Sequence, residues 1–66
     1  MNRLKEIRKQ EGFTQVELGK EVGKYQSFIH NIERCYYFPT EKEKQELAQA
    51  LGVSIPDIFP DASILG

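Results

Sequence analysis

Apolar residues recur three and four positions apart along most of this chain, and no stretch alternates with period two for long enough to read as a strand. Strong helix starts punctuate that pattern. Thr14-Gln15-Val16-Glu17 and Thr40-Glu41-Lys42-Glu43 match the capping box, in which a hydroxyl accepts from the third helical amide and a glutamate reaches back to the cap. Ser54-Ile55-Pro56-Asp57 is a weaker version, with a proline suited to a first helical turn. Gly12, Gly23 and Gly52 stand where helices would close, since a left-handed residue ends a helix most easily as glycine. These marks predict helices near 2–11, 14–22, 25–34, 41–51 and 55–59, a tail over 60–66, and one all-α domain spanning 1–66. The expected core is Leu4, Ile7, Leu18, Val22, Ile29, Ile32, Leu47, Leu51, Val53 and Ile58.

Only Gly23 and Lys24 separate the second and third helices, too few residues for antiparallel packing but suited to a sharp helix-turn-helix corner. On a wheel of about 100° per residue from Gln26, the apolar Phe28, Ile29 and Ile32 fall at about 200–300°. Gln26, Ser27, His30, Asn31 and Arg34 occupy about 0–140°, opposite the apolar face, with Glu33 only at the flank. That polar face carries amides, a hydroxyl, an imidazole and a guanidinium but no carboxylate. Such groups read base edges in a major groove: amides pair with adenine, arginine with guanine, serine with either. A merely solvated face would more often mix Glu and Lys.

Composition bounds the remaining readings. A chain of 66 residues buries only about 60% of its unfolded surface, so its stability is marginal and a second copy would help. Residues 1–40 hold seven of the nine Lys/Arg against five acids, net +2, whereas 41–66 are net −3; a polyanion would meet the first forty residues. The start, "MNRLKEIRKQ", is charged from its third residue and offers no apolar leader or membrane span, which places the expected site of action in the cytoplasm, on the nucleoid when DNA is bound. One cysteine forms no internal disulfide framework, and His30 with Cys35 is too small a donor set for zinc, so neither a metal nor another cofactor is expected. The same pair lacks an orienting carboxylate for nucleophilic catalysis, and the chain is not expected to be an enzyme.

The residues also resemble a family, the small Cro/C1-type phage repressors among the XRE transcriptional regulators. "LKEIRKQEGFTQVELGKEVG", "QSFIHNIER", "FPT" and "LAQALGVSIPDIF" carry the resemblance over almost the whole chain. It implies a compact five-helix, lambda-repressor-like domain whose second helix crosses the phosphate backbone while the third enters the major groove. It further implies that Gln15 contacts phosphate and braces Gln26, and that Gln26, Ser27 and Asn31 reach base edges. His30 and Arg34 join them from the wheel. Lys24, Tyr25 and Tyr36 complete the expected backbone contacts, and Arg8 with Glu33 matches a buried ion pair tying the first helix to the third.

Three departures from the family pattern stand out. Tyr25 occupies a position where relatives carry a small capping residue, and Gly19 one where they favour alanine. After the third helix, Cys35-Tyr36-Tyr37-Phe38 replace a closing glycine and basic residues. In relatives this loop lies near the two-fold axis. The expected dimer surface is therefore Tyr37, Phe38, Ile55, Phe59, Ile64 and Leu65. The function implied is a homodimeric, sequence-specific repressor of transcription on a roughly palindromic double-stranded DNA operator, controlled by its own concentration or by a regulatory protein. The competing reading is a protein-interaction module on the same fold, antitoxin-like or a dimerisation partner, with weak or no DNA binding; the near-neutral charge favours it.

Overall fold

Five helices follow one another in the computed structural model, which describes residues 2–60: α1 Leu4–Gln10, α2 Gln15–Glu21, α3 Gln26–Glu33, α4 Glu41–Leu51 and α5 Ile55–Ile58. No strand occurs among the described residues. The two strong capping boxes form: Thr14 Oγ1 accepts from the Glu17 amide at 3.0 Å while Glu17 Oε1 accepts from the Thr14 amide at 2.9 Å. The corresponding distances at Thr40 and Glu43 are 3.2 and 2.9 Å. At the short α5, Asp57 Oδ2 accepts from the Ser54 amide at 3.0 Å. Each of these bonds satisfies a helix-end amide that would otherwise have no partner.

The first helix begins two residues later than its pattern suggests, and Asn2 is the reason. Its side-chain oxygen accepts from the Leu4 amide at 3.0 Å, and its Nδ2 donates to the Ile32 carbonyl at 2.9 Å. One residue thus starts α1 and clips that start to the end of α3. The Arg3 amide also donates to the Ile58 carbonyl at 2.8 Å, so the start of α1 meets the end of α5.

Left-handed residues close the first four helices. Gly12, Gly23, Cys35 and Gly52 all have positive φ, and after each one the next amide reaches back to the helix's last turn. Three are glycines. At Cys35, with φ of 61°, the Cys35 amide bonds the Ile32 carbonyl at 3.0 Å and the Tyr36 amide bonds Asn31 at 2.8 Å. A β-carbon in this conformation costs roughly 1–2 kcal/mol.

The core gathers from every helix. Leu4, Ile7, Leu18, Ile29, Ile32, Leu47, Leu51 and Ile58 are buried as expected, whereas Val22 and Val53 only pack against its margin. Ala48 and Phe59 complete it. Burying a side chain of the Leu or Ile kind contributes about 1.5–3 kcal/mol each, which is the main force holding so short a chain together. The α2–α3 corner is tight because Gly19 lacks a side chain: a β-carbon there would lie 3.0 Å from the Lys24 carbonyl oxygen and 3.1 Å from the Tyr25 carbonyl group. The Lys24 amide instead closes on the Gly19 carbonyl at 2.7 Å.

One buried polar group crosses this core. Arg8 is 6% exposed, and its Nε donates to Glu33 Oε2 at 2.6 Å, its Nη2 to Glu33 Oε1 at 3.3 Å and its Nη1 to the Phe13 carbonyl at 2.8 Å. α1, the α1–α2 turn and α3 are thereby held by a single guanidinium.

Two outcomes follow from these contacts. Replacing Arg8 by Met should lower the unfolding free energy by about 3–5 kcal/mol, because Glu33 is left charged and unpaired, while the double change Arg8→Met with Glu33→Leu should recover most of the loss. Urea denaturation of the three proteins measures this, and a single variant as stable as the parent would contradict it. Cys35→Gly should raise stability by about 1 kcal/mol by relieving the left-handed strain, seen as a higher urea midpoint.

Candidate nucleic-acid interface

The third helix follows an amphipathic sequence, and its burial pattern divides as the wheel does. Ile29 and Ile32 are fully buried and Phe28 is half-buried; Gln26, Ser27, His30 and the C-cap Arg34 are exposed, with Asn31 half-buried beside them. Among the described residues, the side chains of Ser27, His30 and Asn31 make no hydrogen bond. They stand available to an outside ligand. The Arg34 guanidinium lies 5.8 Å from the centroid of the Tyr36 ring, a cation–π stack that orients it on the same edge. An α-helix with its side chains is about 10–12 Å across, which fits a B-DNA major groove about 12 Å wide.

The start of this helix is braced from below. Gln26 Nε2 donates to Gln15 Oε1 at 3.1 Å, and Gln15 Nε2 donates to Glu33 Oε1 at 3.0 Å. Glu33 in turn receives Arg8. The chain Arg8, Glu33, Gln15, Gln26 therefore runs from the core to the exposed face through α1, α3 and α2. It consumes the one carboxylate of α3, so no free negative charge from that helix faces outward.

Around the corner, Tyr25 is the N-cap of α3 and makes no side-chain cap; its ring is 86% exposed. Lys24 is less free than its position suggests. Its ammonium lies 3.8 Å from Glu43 Oε2 and 5.3 Å from the Phe28 ring centroid. The Tyr37 hydroxyl donates to Glu43 Oε1 at 2.7 Å, and its ring meets that of Phe28 at 5.8 Å in a tilted pair. The Thr40 amide, the Tyr37 hydroxyl and the Lys24 ammonium hold the Glu43 carboxyl below the usual carboxylate range; the same hydrogen bond pushes the Tyr37 phenol up.

These contacts change the expected dimer surface. Phe59 is 8% exposed and belongs to the protomer's own core, with the Lys44 ammonium 5.6 Å from its ring centroid, so it offers almost no area to a partner. Tyr37 stays 39% exposed, but its ring packs on Phe28 and its hydroxyl is bonded to Glu43, and Ile55 is partly buried against the core. Phe38, at 78%, and Tyr36 remain exposed. Ile64 and Leu65 lie outside the described residues. Sequence reasoning took Glu43 only as a helix cap and passed over Asn2; a Tyr and a Glu six residues apart on either side of a proline gave no local signal of contact.

No helix among the described residues is long and apolar enough to cross a membrane. A family model described as helix-turn-helix matches residues 4–58. The immunity repressor protein of Bacillus phage phi105 is 32% identical over 63 residues, covering 96% of this chain and 44% of that protein. This chain thus spans less than half the length of that curated relative. Because the family match begins at the first residue of α1 and ends at the last of α5, taking in every helix of the fold, the chain belongs to the Cro/C1-type helix-turn-helix family.

Proposed function

We infer that this protein is a sequence-specific double-stranded DNA-binding regulator of transcription, acting in the cytoplasm as a homodimeric repressor on a roughly palindromic operator. The observation that carries this reading is the exposed, acid-free face of α3, whose first residue, Gln26, is braced through Gln15 and Glu33 to the buried Arg8. Gln26, Ser27, His30, Asn31 and Arg34 face the bases, while Gln15, Tyr25 and Tyr36 hold the backbone and Lys24, already paired with Glu43, adds little to it. A pre-set amide pair such as Gln15–Gln26 favours base readout because little side-chain freedom is lost on docking. The similarity to a phage immunity repressor supports the repressor sign. In the dimer, two copies of α3 lie about 34–36 Å apart, one turn of duplex, with the exposed Phe38 as the apolar anchor between protomers.

The aromatic loop in place of cations, with the net charge of −1, favours a second reading, a protein-binding module that has lost DNA. Selection from randomised duplexes followed by titration at two salt concentrations separates the two. A selected site should be bound with affinity that falls as salt rises, and Asn31→Ala or Gln26→Ala should each cost about 1–3 kcal/mol on that site while sparing non-specific binding. No selectable site and no salt slope would leave the second reading. Sedimentation should find a dimer that Phe38→Ala weakens; a wild-type protein that stays monomeric, on DNA as well as free, would rule out the dimeric part.

A further inference from the structure

Beside the exposed face of α3 lies a slot of about 250 Å³ lined by Lys24, Tyr25, Ser27, Phe28, Asn31 and Tyr37. It shares Ser27 and Asn31 with the polar face, so whatever lies along α3 also passes this slot. Two donors at its wall converge on one carboxylate from α4: the Tyr37 hydroxyl at 2.7 Å and the Lys24 ammonium at 3.8 Å both meet Glu43. Glu43 cannot swing away freely. Its Oε1 also accepts from the Thr40 amide at 2.9 Å as part of the α4 capping box, and its side chain is only 16% exposed.

An ammonium and a hydroxyl converging on an anionic oxygen pair is the arrangement a DNA phosphate would seek. We propose that Glu43 is an internal phosphate surrogate, which occupies Lys24 and Tyr37 and so weakens the sequence-independent attraction of this interface for the DNA backbone. The proposal rests on the DNA-binding reading above. Its physical content is charge accounting. Non-specific affinity comes almost wholly from cations that neutralise phosphates and release counterions, whereas base contacts add to it only on the right sequence. A cation compensated by a tethered carboxylate releases no counterion. Lowering the background in this way leaves discrimination to the Gln26 and Asn31 side of α3.

The test compares the wild-type protein with Glu43→Gln, Lys24→Met and the double variant, on a selected duplex and on a non-specific one, at 50 and 200 mM salt. Glutamine is itself a capping-box residue, so α4 keeps its cap; thermal unfolding checks that the fold is kept. Glu43→Gln should bind both duplexes more tightly, with the gain about 3.5-fold larger per protomer at the lower salt, as one added phosphate contact requires. The gain should vanish in the Lys24→Met background. Independently of DNA, the Tyr37 phenol should titrate at lower pH in Glu43→Gln, read by ultraviolet absorbance. Unchanged or weaker binding by a folded Glu43→Gln overturns the proposal, as does a gain that survives Lys24→Met, which would mark a generic charge effect. If neither the wild-type protein nor Glu43→Gln binds any duplex, the DNA-binding reading falls and this proposal with it.

Discussion

The orientation of the exposed helix depends on one buried ion pair. Taking a guanidinium and a carboxylate out of water is costly, and their attraction offsets that cost only where geometry is good and the remaining donors and acceptors are filled. Arg8 and Glu33 meet both conditions: two bonds join them, Phe13 takes a third guanidinium hydrogen, and Gln15 fills another acceptor position of the carboxylate. No buried side-chain nitrogen or oxygen among the described residues is left without a partner. Apolar residues alone would let α3 slide or roll on α1. A directional pair allows one register, and Gln15 relays that register to Gln26 at the surface.

Backbone closure complements this polar tie. The chain turns at Gly12, Gly23, Cys35 and Gly52 by the same left-handed device, and three of the four positions carry the residue that suits it. The fourth is where the loop departs most from the family pattern. Cys35 tolerates its conformation because the amides of residues 35–37 all return to α3 carbonyls and because Asn2 fastens Ile32 from the other side. That fastening delivers Tyr37 to Phe28 and Glu43, while Tyr36 goes to Arg34 and Phe38 stays exposed. Three consecutive aromatics thus have three different surroundings.

Charge is spent locally rather than displayed. Arg3 bonds Glu6 at 2.9 Å, Arg8 is buried with Glu33, and Lys24 faces Glu43, so several cations of the first forty residues are already compensated. A near-neutral protein with such internal pairing has a weak long-range field, and any DNA recognition by it leans on shape and hydrogen bonding at α3 more than on electrostatic steering. This accounts for how an exposed, acid-free α3 face and a net charge of −1 can coexist.

Helix number, their approximate ends, the corner between α2 and α3, and the two faces of α3 were legible in the sequence. Each is a regularity within three or four residues: a Thr and a Glu in a capping box, a left-handed closure, an apolar stripe at helical period. The sequence by itself therefore determined the fold class and which side of α3 faces outward. The Arg8–Glu33 pair was expected only through the family resemblance, since nothing local relates residues 25 apart. Asn2 on Ile32, Tyr37 on Glu43 and the burial of Phe59 were not expected at all. These depend on how helices dock, and docking is decided by the summed burial of side chains from all five helices together with the directional demands of the buried pair. Only the tertiary structure decided that Phe59 completes a core instead of an interface, and that Lys24 faces a carboxylate of its own chain.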